Sequence, residues 1–363
     1  MPPSPPPVAP PGPDSVILDT FTGLKNTVGP ERLKATEFAR AQNVDLDDAG
    51  QPRRRRGYTK KMTGAFHSLF TTAMGQTLGV RNGDLGVINP NYTFVTIHPN
   101  VGIEPVTHAV AYVQIGPTLY FSNRITSGQI SLLDFTVSPW GAQNDQGFWF
   151  SPVVNPTATQ PPIGGRLFGA PPLATALTYL NGRIYLASEN VLWATELHLF
   201  NFVDKTKNYR MFESKIKVLG AVTDGLYVGT ESDVWFLGGG RFHDGMRRVP
   251  IMQVGAISGT LISVPAELIH PIGQGNPEQP IESKNAVVFQ TQSGIVVGLD
   301  GGQTFNLTQT DFLFPGAQGG AGFFRRQDGI NSYISVLDSG GTAASNVRFG
   351  DHLDAQLIRG PGV

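Results

Sequence analysis

Three stretches of this chain carry one pattern of apolar and polar positions. Residues 182–195 read GRIYLASENVLWAT, 225–238 read GLYVGTESDVWFLG, and 294–307 read GIVVGLDGGQTFNL. Each opens on a Gly after a polar turn, alternates apolar residues, turns again on polar residues and returns through a second apolar alternation. The pattern predicts one β-hairpin written three times. A chain that repeats a hairpin predicts a stacked or radial all-β architecture. Weaker versions of the pattern cover 65–89, 109–135 and 323–337, with the repeats themselves falling inside 176–196, 216–239 and 285–309. The expected fold is therefore all-β: a β-propeller of about five to seven blades with loop insertions and an extended N-terminal arm.

A blade takes roughly 40–50 residues. The turn glycines Gly116, Gly182, Gly225, Gly294 and Gly329 are unevenly spaced, with long intervals after Gly116 and Gly225. The long intervals predict insertions at about 136–171, rich in Pro, Gly and aromatics, and about 239–283. Insertions on one face of a radial repeat commonly carry contacts. Trp193 and Trp235 occupy the same place in their repeats, which predicts packing between blades rather than a ligand platform.

The N-terminal part differs. Residues 1–14 (MPPSPPPVAPPGPD) are Pro-rich and predict a solvated, disordered polyproline II tail, or a short arm across a neighbouring subunit. They have neither the basic region nor the apolar core of a secretory signal. Residues 15–62 are expected to form an extended arm and a basic hairpin, and 63–363 the propeller. GPERLKATEFARAQNV carries helical and extended signals in equal measure. DLDDAGQP is a turn, followed by Arg53, Arg54, Arg55 and Arg56 and then by Lys60 and Lys61. In a strand only two of the four Arg share a face, which favours a salt-bridging strand between subunits over a nucleic-acid site.

Composition agrees with short strands and many turns. Charged residues are 15%, hydrophobic residues 40%, with 44 Gly and 28 Pro. A net charge of −1 gives no global case for nucleic acid or an anionic membrane. The absence of Cys excludes a disulfide scaffold and a Cys zinc site. No apolar run approaches the roughly 20 residues of a membrane-spanning helix.

Catalytic motifs are missing. There is no phosphate-binding loop, dinucleotide fingerprint or HExxH, and Gly255-Ala-Ile-Ser-Gly259 is one residue out of register for a nucleophile elbow. The His residues have no i, i+3 or i+4 partner, so a zinc site is not expected. Asp45-Leu-Asp-Asp48 opens like a calcium loop but places Ala49 and Arg56 where ligands belong, which favours a turn. Asp224, Glu231 and Asp233, the carboxylates a glycosidase reading would use, fall on repeat turns. No catalytic residue, metal or cofactor is assigned.

Three segments resemble a family. GPERLKATEFARAQNVDLDDAGQPRRRRGYTK is similar to the entry segment of virion propeller proteins of tailed bacteriophages: a PERL element, an N-V-D strand, a Gly turn and a basic strand ending R-G-Y-T. LNGRIYLASENVLWATELHLFNFVDKTKNY resembles the family's inner blade. VVFQTQSGIVVGLDGGQTFNLT with FFRRQDGINSYISVLDSGG resembles its last blades. The likeness runs from about residue 20 to the C-terminus and points to the tail nozzle (tail tubular protein B) type. It implies a structural, non-enzymatic protein of the virion tail. The implied assembly is a homo-oligomeric ring, usually six-fold, that continues the DNA ejection channel. The implied partners are portal or adaptor proteins and tail fibres or spikes, with transient passage of genomic DNA and no membrane. The chain is short for a nozzle with a platform domain, so a distal tail or fibre-hub role in a long-tailed phage stands as the alternative, ahead of a propeller that binds or hydrolyses glycans. Expected contact residues are Arg53–Arg56, Lys60 and Lys61, together with Phe148, Trp149 and Phe150 and with Ile251, Met252, Val254 and Ile257, which the insertions would bury against neighbours.

Overall fold

The computed structural model describes residues 21–39, 44–46, 51–54, 59–105, 107–141, 148–150, 166–242, 245–269, 284–308, 311, 313–314, 316–327 and 330–338. The Pro-rich tail lies outside them. The chain divides into two compact units, one of Met1–Tyr58 with Thr310–Phe312, the other of Thr59–Gln309 with Leu313–Val363.

In the first unit, Gly23–Leu24 (β1) runs parallel to Glu37–Phe38 (β2), with the rings of Phe21 and Phe38 stacked 4.5 Å apart. The intervening Pro30–Arg32 is a single 3-10 turn, begun by a Pro that needs no amide partner. Val44–Leu46 (β3) pairs antiparallel with Pro52–Arg54 (β4), so the basic segment begins as a strand.

The second unit is a β-propeller. Blade I is Phe66–Thr71 (β5), Thr77–Arg81 (β6), Asp84–Ile88 (β7) and Phe94–His98 (β8). Blade II is Ala111–Ile115 (β9), Thr118–Ser122 (β10), Ser127–Ser131 (β11) and Val137–Pro139 (β12). Phe148–Phe150 (β13) and Arg166–Gly169 (β14) follow, then Ala176–Leu180 (β15), Arg183–Ser188 (β16), Val191–Ala194 (β17), Val203–Asp204 (β18) and Tyr209–Met211 (β19). Blade III is β15-β16-β17-β19, and β13-β14-β18 form a separate three-stranded sheet. Blade IV is Ile216–Ala221 (β20), Gly225–Thr230 (β21), Val234–Gly238 (β22) and Arg247–Met252 (β23). Blade V is Ile262–Pro265 (β24), Asn285–Thr291 (β25), Gly294–Gly298 (β26) and Thr304–Asn306 (β27). Gly319–Gln327 (β28) and Ile330–Asp338 (β29) close the order as a hairpin.

Blades stack because their second strands are apolar on both faces. In β10, Leu119 and Phe121 point to blade I, where they join Leu78, Val80 and Leu85, while Tyr120 points to blade III with Ile184 and Leu186. In β16, Tyr185 and Ala187 join Leu226 and Val228 of blade IV. In β21, Tyr227 turns the other way, to Val287, Phe289 and Val296 of blade V. Successive strand residues face opposite ways, so a run such as TLYFS or GLYVGT serves two interfaces, and a strand buried on both sides reads as continuously apolar. Each large side chain so buried contributes about 1.5–3 kcal/mol relative to exposure. The hairpin turns follow from the same sequence: Asn82-Gly83 and Asn181-Gly182 have positive φ at both central residues, the geometry that matches strand twist.

The two long intervals, both expected to be insertions, differ in cause. The stretch 239–283 contains β23 and β24, the last strand of one blade and the first of the next. The stretch 136–171 contains β12 and two strands of the three-stranded sheet. The repeated hairpin is also not always in one place: it forms the second and third strands of blades III and IV but the third and fourth of blade V.

Candidate interaction surfaces

The basic hairpin is set by register. Asp45 stands opposite Arg53 and Val44 opposite Arg54 in the backbone register. Arg54 is exposed, as are Lys60 and Lys61, and Lys61 Nζ lies 5.8 Å from the Tyr92 ring centroid. Arg55 and Arg56 lie outside the described residues, as do Asp47 and Asp48 of the calcium-like turn. In the first unit, Lys25 Nζ is 3.2 Å from Glu37 Oε1 and 3.6 Å from Asp311 Oδ1. Glu37 also accepts the Lys34 amide, and these contacts hold its carboxyl below the usual carboxylate range, the amide first. Its hydrogen bond to Lys25 raises the ammonium in turn.

The two apolar groups expected to meet neighbours differ. Phe148, Trp149 and Phe150 form β13, the edge strand of the three-stranded sheet, opposite Phe168, Leu167 and Arg166. Ile251 and Met252 end β23 and pack, half-buried, against the core shared by blades IV and V. Ile257 is 1% exposed in the same chain. These three pack within their own fold: the strand signal of RRVPIM is hidden by Pro250, which this strand tolerates because, among the described strands, its outer side carries no ladder.

The carboxylates are likewise engaged. Asp224 Oδ2 accepts the Gly301 amide at 2.9 Å and Asp300 Oδ1 the Thr223 amide at 2.7 Å, a reciprocal tie between turns of blades IV and V. Glu231 pairs with Lys217 at 3.0 Å, and Asp233 accepts Ser232 Oγ. Ser258 and Gly259, of the near-elbow sequence, have carbonyls that accept amides of β28. Among the described residues no three His, Asp or Glu gather to hold a metal.

No family model matches this chain. No curated protein matches it either. Solved structures that align with it include the extracellular domain of the putative hybrid two component system BT4673 from B. thetaiotaomicron, at 10% identity over 83% of this chain with a TM-score of 0.42. The chain spans about a third of that structure's length (34%). BBS1N in complex with ARL6DN aligns at 11% identity over 80% of each chain with a TM-score of 0.44. The N-terminal domain of Nup159 aligns at 10% identity over 76% of this chain and 71% of its own, with a TM-score of 0.36. The propeller assignment accordingly rests on the sheets themselves.

Several residues that hold blades together gave no signal in the sequence. Arg248 lies between two rings, its guanidinium 3.7 Å from Trp235 and 4.5 Å from Phe212, and it pairs with Glu213, whose carboxyl it lowers. Tyr227, fully buried, donates its hydroxyl to the carbonyls of Leu299 (2.6 Å) and Gln303 (2.7 Å). Asn123 Nδ2 donates to the carbonyls of Val101 (2.7 Å) and His108 (3.1 Å), while its Oδ1 accepts the amides of Ile125 and Thr126. Trp193 and Trp235 do pack on blade cores, half-buried in third strands.

Proposed function

We propose that this chain is a structural protomer of a bacteriophage tail, a nozzle-type ring subunit that continues the DNA channel and holds neighbouring tail proteins. One observation of the fold carries the assembly part of this reading. The outermost strands of three blades expose apolar side chains: Val95 of β8 (51%), Met211 of β19 (62%) and Val249 of β23 (43%). Outer strands are sheet edges, with unpaired backbone groups, and a monomer normally guards them with charge. An apolar rim is suited to a neighbour that covers it, and repeated copies that close on themselves cover every rim alike. The tail position itself rests on the likeness of the entry segment and blades.

The reading is tested by weighing the purified full-length chain in solution by mass photometry and light scattering. A discrete closed oligomer is expected, six copies by the family likeness. Met211→Asp with Val249→Asp is expected to dissociate it without changing the unfolding midpoint. A monomer at tens of micromolar that binds oligosaccharides overturns it.

A further inference from the structure

Two hairpin turns of the propeller are Asn-Gly pairs, and the structure holds them differently. Asn82-Gly83 joins β6 to β7 and Asn181-Gly182 joins β15 to β16, both with positive φ at each residue. Each Gly carbonyl accepts an amide from a later loop: Gly83 O from Val101 and Gly182 O from His198, both at 2.8 Å. The Asn residues differ. Asn82 Oδ1 accepts the Ala65 amide at 3.0 Å, and the Asn82 amide donates to Ala65 O at 2.9 Å. Asn181 is exposed, and its side chain makes no hydrogen bond among the described residues.

An imidazole lies against the second turn. His198 is exposed, with φ +57°, between Leu197 and Leu199, themselves 52% and 56% exposed. A Cβ on Gly182 would meet His198 Cε1 at 2.7 Å and Nε2 at 3.0 Å. One on Gly83 would meet an aliphatic carbon instead, Ile103 Cγ1 at 3.0 Å. A ring packed on the Gly182 backbone can take a proton there and give it up again.

An Asn before Gly is open to attack by the next amide, because Gly puts no side chain in the way. Gly182 N gives up its proton and bonds to Asn181 Cγ. The Cγ–Nδ2 bond breaks, and Nδ2 leaves as ammonia with that proton. Water then opens the cyclic imide at one of its two carbonyls, giving Asp or isoaspartate. The attack requires the Asn side chain to fold back on the following amide. Asn82 must first give up its bonds to Ala65, whereas Asn181 has no such tie to break.

We propose that Asn181-Gly182 is a self-modifying site, at which Asn181 of the folded chain converts to isoaspartate while the His198 imidazole carries the Gly182 proton to the leaving nitrogen. Isoaspartate routes the main chain through the side-chain carbon. The lengthened turn cannot keep both the β15–β16 register and the Gly182 carbonyl on the His198 amide. Ageing therefore frees the 196–199 loop and its two exposed leucines.

The full-length chain is kept warm at mildly alkaline pH for weeks, folded or unfolded in urea, then digested and mapped by mass. Each conversion adds about 1 Da, and an isoaspartyl methyltransferase identifies the product. In the folded chain Asn181 is expected to convert at least about fivefold faster than Asn82, and in urea at a similar rate, since both precede Gly. His198→Asn, which tolerates the positive φ, should slow Asn181 severalfold and leave Asn82 unchanged. Asn181→Gly should keep the turn and abolish the age-dependent rise in hydrogen exchange at the His198 amide. Equal conversion of the two Asn in the folded chain, or conversion of both only in urea, would overturn the site. An unchanged Asn181 rate in His198→Asn would overturn the role of the imidazole.

Discussion

Tyr227→Phe isolates one bond between blades. The ring stays: its centroid lies 5.1 Å from that of Phe236 and 6.4 Å from that of Phe289, and Phe keeps both contacts. What goes is a buried hydroxyl that two carbonyls share. Gln303 O keeps the Leu299 amide at 2.8 Å, so the loss falls mainly on Leu299 O. A buried acceptor left without its donor costs about 1–3 kcal/mol, so a destabilisation of about 1.5 kcal/mol is expected. Tyr112→Phe is the control. Its hydroxyl is buried and has no hydrogen-bond partner among the described residues, burial raises its pKa, and its ring stacks on Phe70 at 5.2 Å. Removing that hydroxyl should leave stability unchanged or raise it by up to about 1 kcal/mol. Urea denaturation followed by circular dichroism compares the two at constant m-value. Equal stabilities for Tyr227→Phe and the parent, or equal losses for both Tyr variants, would refute the reasoning.

Other variants probe separate features. Gly259→Ala should destabilise by about 2 kcal/mol or more and loosen β28: φ is +79°, and a Cβ would meet Gly320 O. Hydrogen exchange of β28 amides, rising in the variant, reads this. Arg248→Lys should cost about 1 kcal/mol in the urea midpoint, because an ammonium cannot stack flat between Trp235 and Phe212. His67 predicts a pH effect. It is 8% exposed, its Nε2 is 3.0 Å from Gly102 O, and its Nδ1 is 2.9 Å from Ser68 Oγ, which accepts the Val110 amide. Burial holds its pKa below the usual 6.5. The folded state therefore resists protonation more than the unfolded one. Its contribution is full above pH 6.5 and is lost as pH falls through the lower folded value. His67→Gln should flatten the stability profile between pH 7 and 5, measured as urea midpoints; a slope identical to the parent's sinks this assignment.

The blades were readable in the sequence because hairpin turns and apolar strands are local signals. Asn181-Gly182 announces its turn, and RIYLAS announces its strand. The outer strands were not readable. Val249 and Met211 are exposed while Tyr209 and Arg210 interrupt any alternation, so β19 and β23 pass for loop. That is why β23 and β24 were expected to be an insertion, and why Ile251, Met252 and Ile257 were assigned to neighbours rather than to their own core. Interblade contacts are long-range: Tyr227 meets Leu299, and Arg248 meets Phe212, through folding of separate repeats. No spacing along the chain encodes them. The basic run gave its strand start at Pro52–Arg54, and the Asp45–Arg53 register became visible only once β3 was paired.

The most direct measurement of the proposed role is labelling of intact virions with an antibody raised against the propeller, viewed by electron microscopy. The nozzle reading predicts label in a ring below the portal, at the base of a short tail. Label only at the distal tip of a long tail would favour the fibre-hub alternative. Virions whose tails carry no label, with the chain absent from the washed particles, would contradict a structural role in the tail.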